Sequence, residues 1–239
     1  MSISASSFLN GCSNLLQSLL PGACALCGAS GADAGLCAGC RADLPLLPAQ
    51  HCPVCATPNS GSVCGACLAA PPAFDRVVAA YVYAFPVDAM IQALKYRGQL
   101  AFAPVLAQAL SERVSLAGAA PRPELLLPMP LAAERLRERG FNQAMELARI
   151  VAGGSGGALD AAVCRRVRNT VPQALLPWKQ RAANIRRAFV CDGDVAGKRV
   201  AVVDDVLTSG ATMNEIAATL KRRGAVEVSA YVVARAAAR

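Results

Sequence analysis

Residues 200–215 read VAVVDDVLTSGATMNE. An apolar, β-branched run with no polar alternation fits a strand buried on both faces, which is the signature of a parallel sheet covered by helices. Two adjacent acids follow, then Thr208, Ser209, Gly210, Ala211 and Thr212, then a helical pattern over 212–224. In open α/β sheets, ligands bind off the carboxyl ends of strands. Asp204 and Asp205 therefore sit at the predicted ligand edge, and residues 208–212 stand at a helix N-terminus. A helix start offers unpaired N–H groups and the positive end of a dipole, which suits a phosphate. Gly210 permits close backbone approach, the hydroxyls add donors, and paired carboxylates accept hydrogen bonds from a vicinal diol. Phosphate beside diol describes a ribose 5-phosphate.

The rest of the body alternates in the same way. Strands are predicted over 76–85, 124–130, 158–167, 199–205 and 226–235, and helices over 87–98, 101–114, 141–152 and 212–224. GGSGG at 153–157 reads as a turn or flexible loop. Strands and helices in alternation imply an α/β layer structure with a parallel sheet.

The front of the chain is different. Eight of eleven cysteines form four C-x-x-C turns: Cys24/Cys27, Cys37/Cys40, Cys52/Cys55 and Cys64/Cys67. Each turn brings two sulfurs to one point, and two turns make a tetrahedral thiolate cage for zinc. Nine residues separate the first two turns and eight the last two, so sequential pairing across short hairpins is the economical arrangement. One or two structural Zn²⁺ ions are expected, with two if no pair is degenerate. Disulfides are the competing use of such cysteines, but they belong to secreted chains, and the first charged residue is Asp33, so no basic signal-peptide flank is present. Cys12, Cys164 and Cys191 read as ordinary small apolar residues, and His51, the single histidine, as a linker residue. Residues 1–22 carry a helical stripe of Phe8, Cys12, Leu15, Leu16, Leu19 and Leu20, expected to dock on the protein because it lacks a cationic face for a membrane surface. The predicted organisation is an amphipathic helix over 1–22, a double ribbon over 23–70 and an α/β body over 71–239.

The net charge is +8, and residues 121–190 hold twelve Lys/Arg against five acids, a net +7. Such a concentration suggests a polyanionic partner. Arg165, Arg166, Arg168, Arg186 and Arg187 are the candidate nucleic-acid contacts, with Phe141, Trp178 and Phe189 near them in sequence.

Residues 200–212 resemble the phosphoribosyl-pyrophosphate (PRPP) signature of type I phosphoribosyltransferases. The chain as a whole resembles one branch, the competence protein ComF family, also called GntX-like. Three further elements carry that resemblance: the C-x-x-C ribbons, the R-x-x-x-R-G-F-N-Q run at Arg135, Arg139, Gly140, Phe141, Asn142 and Gln143, and the series Thr170, Gln173, Arg181, Asn184, Ala188 and Phe189. It implies a type I phosphoribosyltransferase-like fold, with Asp204 and Asp205 on the ribose hydroxyls and residues 208–212 on the 5-phosphate. It further implies a pyrophosphate loop at PMPL (128–131), with Arg135, Arg139 and Arg181 as its cations and Mg²⁺ bridging the ligand's oxygens. The implied chemistry is ribosyl transfer with loss of pyrophosphate, carried largely by electrostatics. No catalytic residue is assigned: Thr208 stands where purine-salvage members often place an Asp, and residues 86–114 offer few polar groups for a nucleobase. The family implies PRPP, single-stranded DNA and DNA-uptake proteins as partners, in the cytoplasm. A metabolic transferase acting on an unidentified base or amine is the alternative.

Overall fold

The computed structural model describes residues 22–33, 35–117, 121–169 and 178–237. The helix expected over 1–22 falls, but for Gly22, outside the described residues. So do Thr170 and Gln173, and the side chains of Trp178, Lys179 and Arg181. The chain forms two compact units, Met1–Leu44 and Pro45–Arg239. The first C-x-x-C pair of turns lies in the smaller unit and the second in the larger, so compactness divides the chain between the two cysteine groups.

The larger unit is built on a five-stranded, all-parallel sheet of order β1-β7-β6-β2-β3. Its strands are β1 (Arg76–Val82), β2 (Leu125–Pro128), β3 (Ala158–Leu159), β6 (Arg199–Leu207) and β7 (Glu227–Arg235). A separate antiparallel pair joins β4 (Cys164–Arg166) to β5 (Phe189–Cys191). The apolar runs of β6 and β7 are explained by position: they are central strands, buried nearly throughout.

Leu125 and Leu127 of β2, Val200 and Val202 of β6, and Val228, Ala230 and Val232 of β7 stand at alternate positions along their strands and share one core cluster. That cluster includes Met213, Ile216, Ala217 and Leu220 of the last helix, Ala211–Arg222, together with Phe189, Cys191 and the second group of cysteines. The other layer is formed by the helix Phe102–Leu116 and the helix Gln143–Ser155, which pack on each other and on the sheet. Numbered in chain order, the helices are α1 (Ala38–Ala42), α2 (Gly65–Ala69), α3 (Val87–Arg97), α4 (Phe102–Leu116), α5 (Ala133–Arg139), α6 (Gln143–Ser155), α7 (Trp178–Ile185) and α8 (Ala211–Arg222). In α3, Val87, Met90, Ile91 and Leu94 give the 3.6-residue apolar stripe, and Gly98 closes the helix at φ 63°, a conformation favouring glycine.

Several expectations are corrected. Gly153 and Gly154 lie inside α6, which packs along α4 and runs to Ser155, so that the turn begins only at Gly156, at φ 77°. The strand expected over 158–167 is two strands, β3 in the main sheet and β4 in the small one. The strand expected to end at Asp205 runs two residues further, paired with β7 at Val206 and Leu207. In each ribbon an isolated bridge, Gly22–Ala32 or His51–Pro58, closes around the first cysteine turn, the second turn opens a short helix, and no continuous hairpin joins the two among the described residues. Cys164 and Cys191 are not independent apolar residues: they face each other across β4 and β5 and form a disulfide.

Candidate functional site

β2 pairs with β6 only as far as Pro128, opposite Val203, and the chain then turns away after one more bond from the Met129 N–H to the Val203 carbonyl. Beyond Val203 that edge of β6 has no strand beside it. The acid pair begins at this point. The Asp205 N–H, left without a β2 partner, donates to Asp204 Oδ1 at 2.9 Å, and the next amide, of Val206, donates to Asp205 Oδ1 at 2.7 Å.

A cleft of about 400 Å³ opens here. It brings together Asp204 and Asp205, the whole 208–212 loop, Met129, Pro130 and Leu131 of the PMPL turn, and Arg135 and Arg139 of α5. Arg181 cannot be placed, since its side chain lies outside the described residues. Gly210, at φ 76°, turns the chain from β6 into α8, whose first turn faces the cleft.

The R-x-x-x-R-G-F-N-Q run has a local explanation. Gly140, at φ 80°, ends α5. Asn142 caps α6, its Oδ1 accepting from Ala144 N–H at 3.0 Å, while its Nδ2 donates to the Met129 carbonyl at 3.1 Å and so fixes the PMPL turn. Buried Gln143 accepts from the Arg139 guanidinium, which also lies 5.4 Å from the centre of the Tyr96 ring.

Several cleft residues were not foreseen as such. Lys95 of α3 reaches Asp205, Nζ to Oδ2 at 2.6 Å, with the aspartate side chain only 4% exposed. The one sequence signal was its position, four residues after Ile91 on the apolar stripe. Gln92 and Tyr96 line the same wall. Arg166, expected to be a nucleic-acid contact, instead lines the cleft, its guanidinium 5.8 Å from the centre of the Phe189 ring.

These groups set each other's protonation. Burial pushes the Asp204 carboxyl up to about 8, and the Asp205 charge adds to this while Lys95 opposes it. Burial by itself would depress the Lys95 ammonium, but Asp205 and then Asp204 outweigh it and hold its pKa above the ordinary value. Burial lowers the Arg166 pKa, and the Arg135 charge lowers it further.

Outside the cleft, Arg165, Arg168, Arg186 and Arg187 are exposed around the β4–β5 pair. Arg165 pairs with Asp192 at 3.1 Å, and Arg168 donates to the Arg186 carbonyl.

Among the described residues, two groups of side chains could hold a metal: Cys24, Cys27, Cys37 and Cys40, and Cys52, Cys55, Cys64 and Cys67. In each, all four sulfurs lie within 4.8 Å of one another. The Cys27–Cys37 and Cys55–Cys64 sulfur separations are 3.7 and 3.6 Å. Tetrahedral zinc with bonds near 2.3 Å requires about 3.8 Å between sulfurs, so the geometry fits the ion. The charge pattern fits as well. Backbone amides of Cys27 and Cys37 lower Cys24 to about 6, whereas hydrogen bonding among sulfurs, first from Cys27, pushes Cys40 up to about 12. In the second group burial alone would raise Cys55, but bonds from Thr57 bring it down to about 6, while burial pushes Cys67 up. Four adjacent sulfurs cannot all be thiolates without a cation. His51 is not a ligand; its Nδ1 lies 2.7 Å from the Pro48 carbonyl oxygen.

No described helix is long and apolar enough to cross a membrane. Two family models match the chain, the double zinc ribbon domain over residues 15–68 and the phosphoribosyl transferase domain over residues 139–239. DNA utilization protein YhgH of Salmonella typhi is 34% identical over 223 residues, covering 90% of this chain and 98% of the relative. Competence protein F of Haemophilus influenzae is 32% identical over 210 residues, covering 84% and 91%. Among solved structures, the allosteric regulatory enzyme of purine biosynthesis overlaps 54% of this chain and 25% of its own, at 21% identity and a TM-score of 0.37.

Proposed function

Given that the chain belongs to the ComF family, together with DNA utilization protein YhgH and Competence protein F, we propose that it binds PRPP in the β6–α8 cleft and serves DNA uptake in the cytoplasm by contacting incoming single strands. The observation that carries the reading is a single cleft lined by two adjacent carboxylates, a hydroxyl-rich helix start and three arginines. The carboxylates suit a ribose diol and the loop suits its 5-phosphate. Arg135, Arg139 and Arg166 suit a pyrophosphate, because guanidinium forks match phosphate oxygens. Mg²⁺ would bind largely through the ligand's own oxygens beside the acid pair, neutralising the pyrophosphate. DNA-uptake proteins are the expected partners, and the motif division at residue 70 marks the boundary between ribbons and phosphoribosyltransferase-like domain.

The DNA half of the proposal draws on Arg165, Arg168, Arg186 and Arg187, which are exposed next to the strand that carries Arg166 into the cleft. Exposed arginines at the mouth of a phosphate site suit a backbone that continues beyond it.

Calorimetry with PRPP and Mg²⁺ tests the first half. Asp204→Asn with Asp205→Asn removes both charged acceptors, each worth roughly 1.5–3 kcal/mol, so affinity should fall at least about tenfold. Equal affinity in the folded double variant would refute the assignment. One observation favours the alternative of a metabolic transferase: Gln92 and Tyr96 line the cleft wall, an amide and a ring suited to an acceptor base. Pyrophosphate release on adding one of a panel of bases and amines, without any DNA binding, would establish that alternative.

A further inference from the structure

Arg235, the last residue of β7, is 6% exposed, and no carboxylate pairs with it among the described residues. Its guanidinium instead joins two distant stretches of chain to its own neighbour. Nε donates to the Cys55 carbonyl at 2.8 Å, and Nη2 to the Thr57 hydroxyl at 2.8 Å. Nη1 donates to the carbonyls of Leu207 at 3.0 Å and Thr208 at 2.8 Å, and to that of Ala236. Thr57 Oγ1 lies 3.2 Å from the Cys55 sulfur. The hydroxyl accepts from the arginine with one lone pair and keeps its own proton for a thiolate at that sulfur. A continuous chain of bonds therefore runs from a cysteine of the second metal group, through Thr57 and Arg235, to the residues that begin the 208–212 loop.

The charges agree with this path. A zinc ion with four thiolates carries a net −2, and a buried guanidinium held only by carbonyls and a hydroxyl needs a compensating negative charge nearby. A second tie supports the same coupling: on the far side of the ribbon, Ala73 N–H donates to Asn214 Oδ1 in the first turn of α8 at 2.6 Å, and the Phe74 ring lies against Gly210.

We propose that Arg235 is a positioning residue that couples metal occupancy of the Cys52, Cys55, Cys64 and Cys67 site to the conformation of the 207–212 loop, so that metal at one and ligand at the other bind cooperatively. Only the ligand half of this statement rests on the PRPP reading above. Losing the metal frees the 52–57 turn, and with it two of the guanidinium's partners. The same planar group then no longer has a fixed base from which to hold the Leu207 and Thr208 carbonyls. Lysine cannot substitute, because a single ammonium lacks the planar fork that reaches both segments at once.

Hydrogen–deuterium exchange on the full-length, ligand-free protein decides the coupling. Cys64→Ser with Cys67→Ser removes the second metal and leaves the first site intact. Exchange in peptides covering 206–213 should then quicken at least about fivefold, the lower range of ordinary coupling between sites. Peptides of α6 and β2 should stay protected, which excludes global unfolding. In Arg235→Lys, with zinc retained, the 206–213 peptides should already exchange quickly, and metal loss should add little. This non-additivity is what a merely structural arginine would not produce. Unchanged protection of 206–213 on metal loss, or additive effects of the two changes, would overturn the proposal. If the cysteine variant does not fold, chelator-induced zinc release serves instead: Arg235→Lys should lose its second zinc several-fold faster than the wild type, and equal release would overturn the proposal. Saturating PRPP should slow that release in the wild type only. Absence of any PRPP binding would remove the cleft reading, while the exchange result would still decide the coupling.

Discussion

The Asp204 proton offers a direct question to put to the cleft. Its carboxyl is pushed up to about 8, first by burial and then by Asp205, whose charge is held by Lys95 at 2.6 Å. At pH 7 a group with such a pKa is protonated in about nine molecules of ten. Ribose hydroxyls are best met by a carboxylate, which accepts with both oxygens, and a nearby Mg²⁺ favours the same charged form. Binding of PRPP with Mg²⁺ should therefore expel this proton. The bound state then holds fewer protons than the free one, so affinity rises with pH as long as free Asp204 is protonated, and levels off above about pH 8. From pH 7 to pH 9 the gain is about tenfold, or ~1.4 kcal/mol. Calorimetry at pH 7 in buffers of different ionisation heat counts the released protons directly. Asp204→Asn supplies the baseline, because it retains the ligand's own phosphate titration and lacks the carboxyl. The wild type should release nearly one proton more than this variant. Equal release by the two proteins, or a wild-type affinity that is flat between pH 7 and 9, would refute the reasoning.

Metal analysis of protein purified without chelator should give close to two Zn per chain, one for each four-cysteine group, and near-zero zinc with oxidised ribbon cysteines would end the zinc reading. Gly154→Ala should change stability in denaturant titrations by less than about 1 kcal/mol, because the Ser111 hydroxyl it meets can rotate aside and alanine favours the helix, and a loss of several kcal/mol would refute this. Single-stranded DNA should bind with an affinity that falls steeply with salt, and Arg186→Ala with Arg187→Ala should flatten the log–log slope by about one while PRPP affinity stays the same. No DNA retention at low salt would end the nucleic-acid reading.

The parts of the fold and site that were legible in the sequence are those whose signal is local. The run from Val200 to Thr212 holds strand, acids, loop and helix start in thirteen consecutive residues, and Asp204 to Thr212 line one cleft in that order. The four cysteine turns likewise report their pairing by spacing alone. What escaped depends on separation. Lys95 is distant in sequence from Asp205, and nothing near it on α3 announces a carboxylate. Cys164 and Cys191 are 27 residues apart on strands too short to be recognised by periodicity. Gly153 and Gly154 read as a break because propensity disfavours glycine in helices, and tertiary packing against α4 overrode it. From the sequence Arg166 reads as a nucleic-acid contact like its neighbours, because charge density along the chain does not reveal which member of an Arg-Arg pair turns inward.

The placement of the second ribbon follows from the needs of the sheet. β1 is an edge strand, and an uncovered edge exposes unpaired N–H and C=O groups. Residues 45–47 cover it, with Leu47 N–H donating to the Ala80 carbonyl and Val82 N–H to the Pro45 carbonyl, each near 2.8–2.9 Å. The chain therefore enters the second cysteine group directly from this edge and returns to the sheet at Asp75, whose N–H donates to the Val228 carbonyl. Both ends of the ribbon are anchored on the body, and its interior contributes Cys52, Cys55, Ala56 and Cys67 to the same core cluster as α8. A metal site held in this way is part of the packing behind the 208–212 loop. Its loss should be felt first at Leu207 and Thr208, where Arg235 connects the two, before helices α4 and α6.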